Sequence, residues 1–193
     1  MPRVTALPSS ALEPAAAEIY ERFAAYGPFA DQAAVLAHVP SALSHLCPML
    51  MELKARQAVP WRYIELGIVV VSKLNECAYC VASHSPVLEI QGMSAAAVAQ
   101  LPNADHPDLD DIDRLVIEYA TLVSRNAGRI RDHVFERLRL HFSEAQIVEL
   151  TLRIAMAGFF NRFNEALQID DGSAAAALLE FNSDPATMEI SHD

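Results

Sequence analysis

The sequence predicts an all-α protein, on two observations. Apolar residues recur at three- and four-residue steps through two long segments, and no segment alternates apolar and polar residues between hairpin turns. A first helix is expected from Pro14 to Tyr26, where Gly27 and Pro28 stop it, and a second from Ser41 to Arg56. Ile64 to Val71 is ambiguous locally, because Ile68, Val69, Val70 and Val71 have the β-branched bias of a buried strand. No partner strand is visible, so the expectation there is a helix buried on most sides. Asn75 is expected to cap a further helix whose first turn holds Cys77 and which Gly92 ends. Ser94 opens a short helix through Leu101, closed by the loop from Pro102 to Pro107. From Asp110 to Ser124, Ile112, Leu115, Val116, Tyr119, Leu122 and Val123 form one stripe, with Asp111, Arg114 and Glu118 off it. A candidate from Arg131 to Phe142 follows. Ser143 and Gln146 read as a capping box for the last helix, over 143–169, in which Ile147, Leu150, Thr151, Ile154, Gly158 and Phe159 keep helical spacing. Asp170, Asp171 and Gly172 are expected to stop it, leaving a tail over 172–193 that is partly mobile.

At 193 residues, 52% hydrophobic and 20% charged, the chain is long enough to bury a substantial core and reads as one domain over 1–193. A net charge of −11 repels a nucleic-acid backbone or an anionic membrane surface, so neither is expected as a partner. The opening MPRVTALPSSALEP lacks the apolar core of a secretory signal, and no stretch has the roughly 18 consecutive apolar residues that span a bilayer. The expectation is a soluble cytoplasmic protein. Three cysteines, two of them three apart, make a poor disulfide framework for a secreted scaffold. In a reducing compartment that spacing reads as redox or metal chemistry.

The chemistry-bearing residues are Glu65, Cys77, Cys80 and His84. On one helix, Cys77, Cys80 and His84 at i, i+3 and i+7 share a stripe that Val81 and Leu88 continue toward the interior. A thiol with pKa ~8.5 is only slightly ionised at neutral pH, and a helix N-terminus or a neighbouring histidine lowers that value. Cys77 gains mainly from the terminus, whereas Cys80 lies one turn before His84, within reach of its imidazole directly or through one water. Cys80 is therefore the better attacking thiolate, with Cys77 placed to resolve a sulfenic acid into a disulfide. If the chain reverses near Leu74 and Asn75, Glu65 and His84 each lie roughly 14 Å from the turn at ~1.5 Å per residue and face one another in an antiparallel pair. A carboxylate there would fix the imidazole's tautomer and raise its basicity.

The same residues admit other readings. The Cys-x-x-Cys pair alone is compatible with core packing, and two thiolates, an imidazole and a carboxylate are together an acceptable zinc set that would stabilise a non-enzymatic module. Glu65 by itself reads as a solvated helix residue. Cys47, in HLCPML, has no partner at a useful spacing and reads as a buried small hydrophobe, with His45 incidental. Asn161, Arg162, Phe163 and Asn164 interrupt an apolar face and read as a helix end or an interface.

The run IELGIVVVSKLNECAYCVASHSPVL resembles the core motif of the AhpD-like superfamily, which groups alkylhydroperoxidases with carboxymuconolactone decarboxylases. The resemblance is close from Trp61 to about Leu88, and FSEAQIVELTLRIAMAGFFNRFNEAL is similar to the C-terminal helix of peroxidase-related members. It implies an AhpD-like helical bundle that assembles into trimers or hexamers. It also implies Cys80 as the residue attacking a hydroperoxide, Cys77 as resolving, and His84 with Glu65 as a proton relay. A dithiol or protein reductant would reopen the disulfide. No bound cofactor or metal is expected, since neither a Gly-rich phosphate loop nor a nucleotide fingerprint is present. Tyr79 stands where well-characterised alkylhydroperoxidases have a second histidine, which implies a shorter relay. The rival within the superfamily is a lyase like carboxymuconolactone decarboxylase, using His84 and Glu65 as acid and base. The cysteine pair, which that branch generally lacks, argues against it.

Overall fold

The computed structural model describes residues 3–26 and 29–169. Among these residues there is no strand, and the all-α expectation holds. The helices are α1 (Pro14–Tyr26), α2 (Ala30–Leu36), α3 (Pro40–Arg56), α4 (Trp61–Leu74), α5 (Ala78–Ile90), α6 (Ala95–Gln100), α7 (Asp111–Asn126), α8 (Asp132–Arg139) and α9 (Glu144–Leu167). The expected mobile tail lies outside the described residues. No described helix is long and apolar enough to cross a membrane. The described residues divide into two compact units, one comprising those up to Gln57 together with Asn164–Ile169, the other Ala58–Phe163.

In the first unit, Phe23 of α1, Ala33 and Leu36 of α2, and Leu43 and Cys47 of α3 form the apolar interior. The α2 segment has no stripe to betray it, because Gln32 through Leu36 are all buried. Its one internal polar group, the Gln32 side-chain amide, donates to Asn164 Oδ1 at 3.1 Å. The final helix ends at Leu167, before the expected acidic and glycine stop. Gln168 turns left-handed (φ 50°), and Ile169 N–H reaches the Asn164 carbonyl at 3.2 Å in a Schellman arrangement. The Arg3 amide and guanidinium donate to the Leu167 and Ala166 carbonyls at 2.9 and 2.8 Å, satisfying acceptors that a helix end otherwise leaves open.

The second unit is built around α4. Every residue from Ile64 to Ser72 is buried, so this helix is enclosed by α5, α7, α8 and α9 through Leu88, Leu115, Val116, Tyr119, Leu138, Leu150 and Ile154. Enclosure explains the strand-like composition, because a helix covered on all sides needs apolar bulk everywhere and tertiary burial outweighs the small propensity penalty of β-branched residues. Arg62, at the start of α4, forks onto Asp113 with bonds of 2.9 and 2.6 Å and also donates to the Gln91 carbonyl at 2.9 Å. Asp113 is fully buried and belongs to a capping box with Asp110 that starts α7. One guanidinium thus ties together the start of α4, the start of α7 and the end of α5.

Gly67 allows α9 to approach α4 closely, since a Cβ at that position would lie 3.0 Å from Ile154 Cγ1. A Gly67→Val substitution should overpack this crossing and lower unfolding free energy by about 1–3 kcal/mol. Urea denaturation of the two proteins measures the difference; an unchanged midpoint would contradict the close packing.

Candidate active site

The turn between α4 and α5 sets the site. Glu76 adopts a left-handed conformation (φ 57°); its N–H donates to the Lys73 carbonyl at 3.2 Å and the Cys77 N–H to the Ser72 carbonyl at 2.9 Å. This is again a Schellman ending. Asn75 therefore closes α4 rather than capping α5, and Cys77 is itself the N-cap residue of α5 (φ −82°, ψ 94°). Cys80 lies in the first turn, so the partial positive charge of the helix terminus favours its thiolate too, not chiefly that of Cys77. Gly92 (φ 86°) ends the region after α5 as expected.

The turn is held from α9. Asn161 is 1% exposed; its amide donates to Ser72 Oγ at 3.1 Å, and its carbonyl accepts from Asn75 Nδ2 at 3.0 Å. Asn161 is thus neither at a helix end nor at a surface. It is a buried amide used at both ends, and the reading of residues 161–164 as a helix end or interface is corrected by the burial of Asn161 and Asn164 inside α9.

Cys77, Cys80, His84 and Glu65 come together. The two Sγ atoms are 2.8 Å apart, with Cys77 donating, and both cysteines are buried thiols. His84 Nδ1 donates to Glu65 Oε2 at 2.7 Å, with the Glu65 side chain only 2% exposed and the imidazole 20%. The antiparallel pairing of α4 and α5 therefore opposes residues 65 and 84, as equal distances from the turn require. Leu88 is buried on the inward side of α5, whereas Val81 is half-buried. Tyr79 is buried immediately before Cys80.

Burial alone would lower the His84 pKa, since it disfavours the imidazolium. The Glu65 charge and hydrogen bond outweigh that, with help from Cys80 and against Arg153, and the net shift is upward. A protonated imidazole beside a thiolate is the combination that a nucleophilic sulfur needs. Cys47 is the opposite case: wholly buried with no compensating charge, its thiol is pushed up to about 12 and stays protonated at neutral pH.

Two residues at this site escape the sequence reading. One is Asn161; the other is Arg153, 7% exposed, whose guanidinium carbon sits 5.1 Å over the Trp61 ring and whose charge is felt at His84. A single cation inside the apolar run LTLRIAMAGFF is the signal that marks it. Among the described residues, no group of three or more His, Cys, Asp or Glu is arranged to hold a metal ion, so the zinc reading finds no donor set there.

The sequence pattern of the carboxymuconolactone decarboxylase family matches residues 40–108, which include all four site residues. The uncharacterized protein YnjA of Escherichia coli strain K12 is 31% identical over 100 residues, 51% of this chain and 55% of that protein. The match therefore spans about half the length of that relative. In three dimensions the chain is similar to an uncharacterized peroxidase-related protein with an alkylhydroperoxidase AhpD core from Ralstonia eutropha JMP134. That likeness has a TM-score of 0.72 at 20% identity, over 90% of this chain and 94% of the other. A cysteine-to-alanine variant of the debrominase Bmp8, in complex with 2,3,4-tribromopyrrole, superposes with a TM-score of 0.69 at 20% identity, covering 92% and 96%. These likenesses establish a common fold.

The electrostatics yield a sign that can be tested. Glu65→Gln removes the charge that raises the His84 pKa and leaves the burial that lowers it, so the imidazole should titrate at lower pH than in the native protein. NMR titration of the His84 ring resonances measures it; an unmoved or raised midpoint would refute the pairing. In the native protein the stabilisation carried by this pair is full below pH about 6.5 and is lost as pH rises through the raised folded value.

Proposed function

We propose that the chain is a member of the AhpD-like superfamily, whose fold it shares, and that it is a thiol-dependent hydroperoxidase or disulfide oxidoreductase. The observation that carries this reading is a buried dithiol, 2.8 Å between sulfurs, beside a histidine that a buried carboxylate holds at 2.7 Å. Cys80 acts as the attacking thiolate. Its sulfur takes the terminal oxygen of the hydroperoxide, the S–O bond forms as the O–O bond breaks, and the leaving alkoxide receives the proton held on His84. Cys77 then attacks the Cys80 sulfenic sulfur; the S–S bond forms, the S–O bond breaks and water leaves with the Cys77 proton. Two thiols and a hydroperoxide thus become a disulfide, an alcohol and water. An external dithiol or a reducing protein restores the thiols, and the electrons need no bound cofactor.

Tyr79 before Cys80 leaves His84 and Glu65 as the whole relay in this reading, so turnover is slower than in enzymes with a second histidine. Assembly into a homo-oligomer, a trimer or hexamer, belongs to the same proposal. It is supported by an apolar stripe on α9 at Val148, Leu152 and Phe159, exposed by 68%, 39% and 46%. Single exposed apolar residues are ordinary, but a stripe along one helix face marks an association surface. Sedimentation of Leu152→Glu should show smaller species than the native protein; equal sizes would remove this face from the assembly.

The catalytic assignment is tested by peroxide consumption in the presence of a dithiol reductant. Cys80→Ser should reduce it to the buffer background, and Cys77→Ser should slow it while trapping Cys80 as a sulfenic acid visible by intact mass. Undiminished consumption by Cys80→Ser would refute the reading.

A further inference from the structure

The buried side-chain atoms that lack a hydrogen-bond partner, among the described residues, are Ser83 Oγ, Ser85 Oγ and Arg153 Nη1. Two of these residues flank His84 in sequence, and the third acts electrostatically on it. Unsatisfied buried donors are few in native proteins, and one that is also charged points to an acceptor supplied from outside the chain. Arg153 is the informative member. A guanidinium remains charged at any physiological pH. Its central carbon lies 5.1 Å from the centroid of the Trp61 ring, a cation–π contact that supplies no acceptor atom to the unpartnered Nη1. Glu149, one turn earlier on α9 and itself 8% exposed, forms no ion pair with it.

The placement of Arg153 is set by packing. Ile154 lies against Gly67 on α4, and Trp61 precedes Glu65 by one turn on that same helix. Ser83 is between Cys80 and His84 on α5, one turn from the thiol. A planar cation with an open N–H matches a carboxylate, whose oxygens are strong acceptors for it.

We propose that Arg153 binds a carboxylate of the substrate, so that the compound reaching Cys80 is the hydroperoxide of an organic acid rather than a neutral alkyl hydroperoxide. This rests on the dithiol reading, and the test separates the two by using alkylation instead of turnover. Iodoacetate and iodoacetamide react with a thiolate identically: the sulfur forms a bond to the methylene carbon and iodide leaves. They differ in carrying a carboxylate or a neutral amide. Peptide mass analysis follows the rate at Cys80 of the reduced protein, with glutathione as the unbiased thiol. The iodoacetate-to-iodoacetamide rate ratio at Cys80 should exceed that of glutathione by at least about tenfold, the effect of one well-placed charge pair. Arg153→Met should bring the ratio to the glutathione value, whatever it does to the iodoacetamide rate itself.

In the native protein alone, acetate at constant ionic strength should protect Cys80 from iodoacetamide, and acetamide should not. A native ratio no higher than that of glutathione would overturn the carboxylate site. Retention of the ratio by a folded Arg153→Met protein would overturn it equally, as would protection by inorganic phosphate without protection by acetate. In these three cases the dithiol reading stands, because Cys80 still reacts with iodoacetamide. Failure of Cys80 to react with either reagent would overturn both.

Discussion

A carboxylate placed almost wholly out of water is the constraint around which the second unit is arranged. Glu65 is 2% exposed in the middle of an apolar helix, a position where an unpaired charge destabilises a fold by several kcal/mol. His84, at 2.7 Å on the facing helix, answers that charge. The pair can form only if α4 and α5 run antiparallel with residues 65 and 84 equally far from their turn. The Schellman ending through Glu76, the amide of Asn161 and the bare surface of Gly67 all serve that register. The dithiol comes with it, since Cys77 and Cys80 occupy the turn itself and the first turn of α5.

The electrostatic result is a balance of opposed effects. Burial works against a charged imidazole, and the Arg153 guanidinium adds to that, while the Glu65 carboxylate and the Cys80 sulfur work for it. The upward net shift means that the favourable groups win although the environment is dry. It is the dryness that makes them strong, because low effective dielectric amplifies each charge pair. Cys47 shows what burial does without such partners, with its thiol pushed up to about 12.

Much of this was readable in the amino acids. The pairing of Glu65 with His84 follows from counting residues outward from Leu74 and Asn75, and the inert character of Cys47 from its isolation. The capping box of Ser143 with Gln146 is present at 2.8 and 3.3 Å. Other features were hidden for physical reasons. The α2 helix is buried on all sides and so carries no periodic signal. Two of the helix ends that lack glycine, those of α4 and α9, use Glu76 and Gln168 in its place, so the usual stop residue does not mark them. Asn161 looks like an interruption because polarity in sequence does not reveal whether a group is wet or internally bonded. Arg153 is a single letter whose meaning depends on Trp61, 92 positions away in the chain.

The left-handed backbone at Glu76 has a consequence for how the protein tolerates change. A side chain in that conformation is strained by roughly 1–2 kcal/mol relative to glycine, so the bend that presents Cys77 is kept in shape by its surroundings and not by its own residue type. Glycine at 76 would relieve the strain in the folded chain and widen the choices open to the unfolded one. Thermal robustness and thiol presentation are therefore separable properties at this position, and a sequence could drift in one while holding the other fixed.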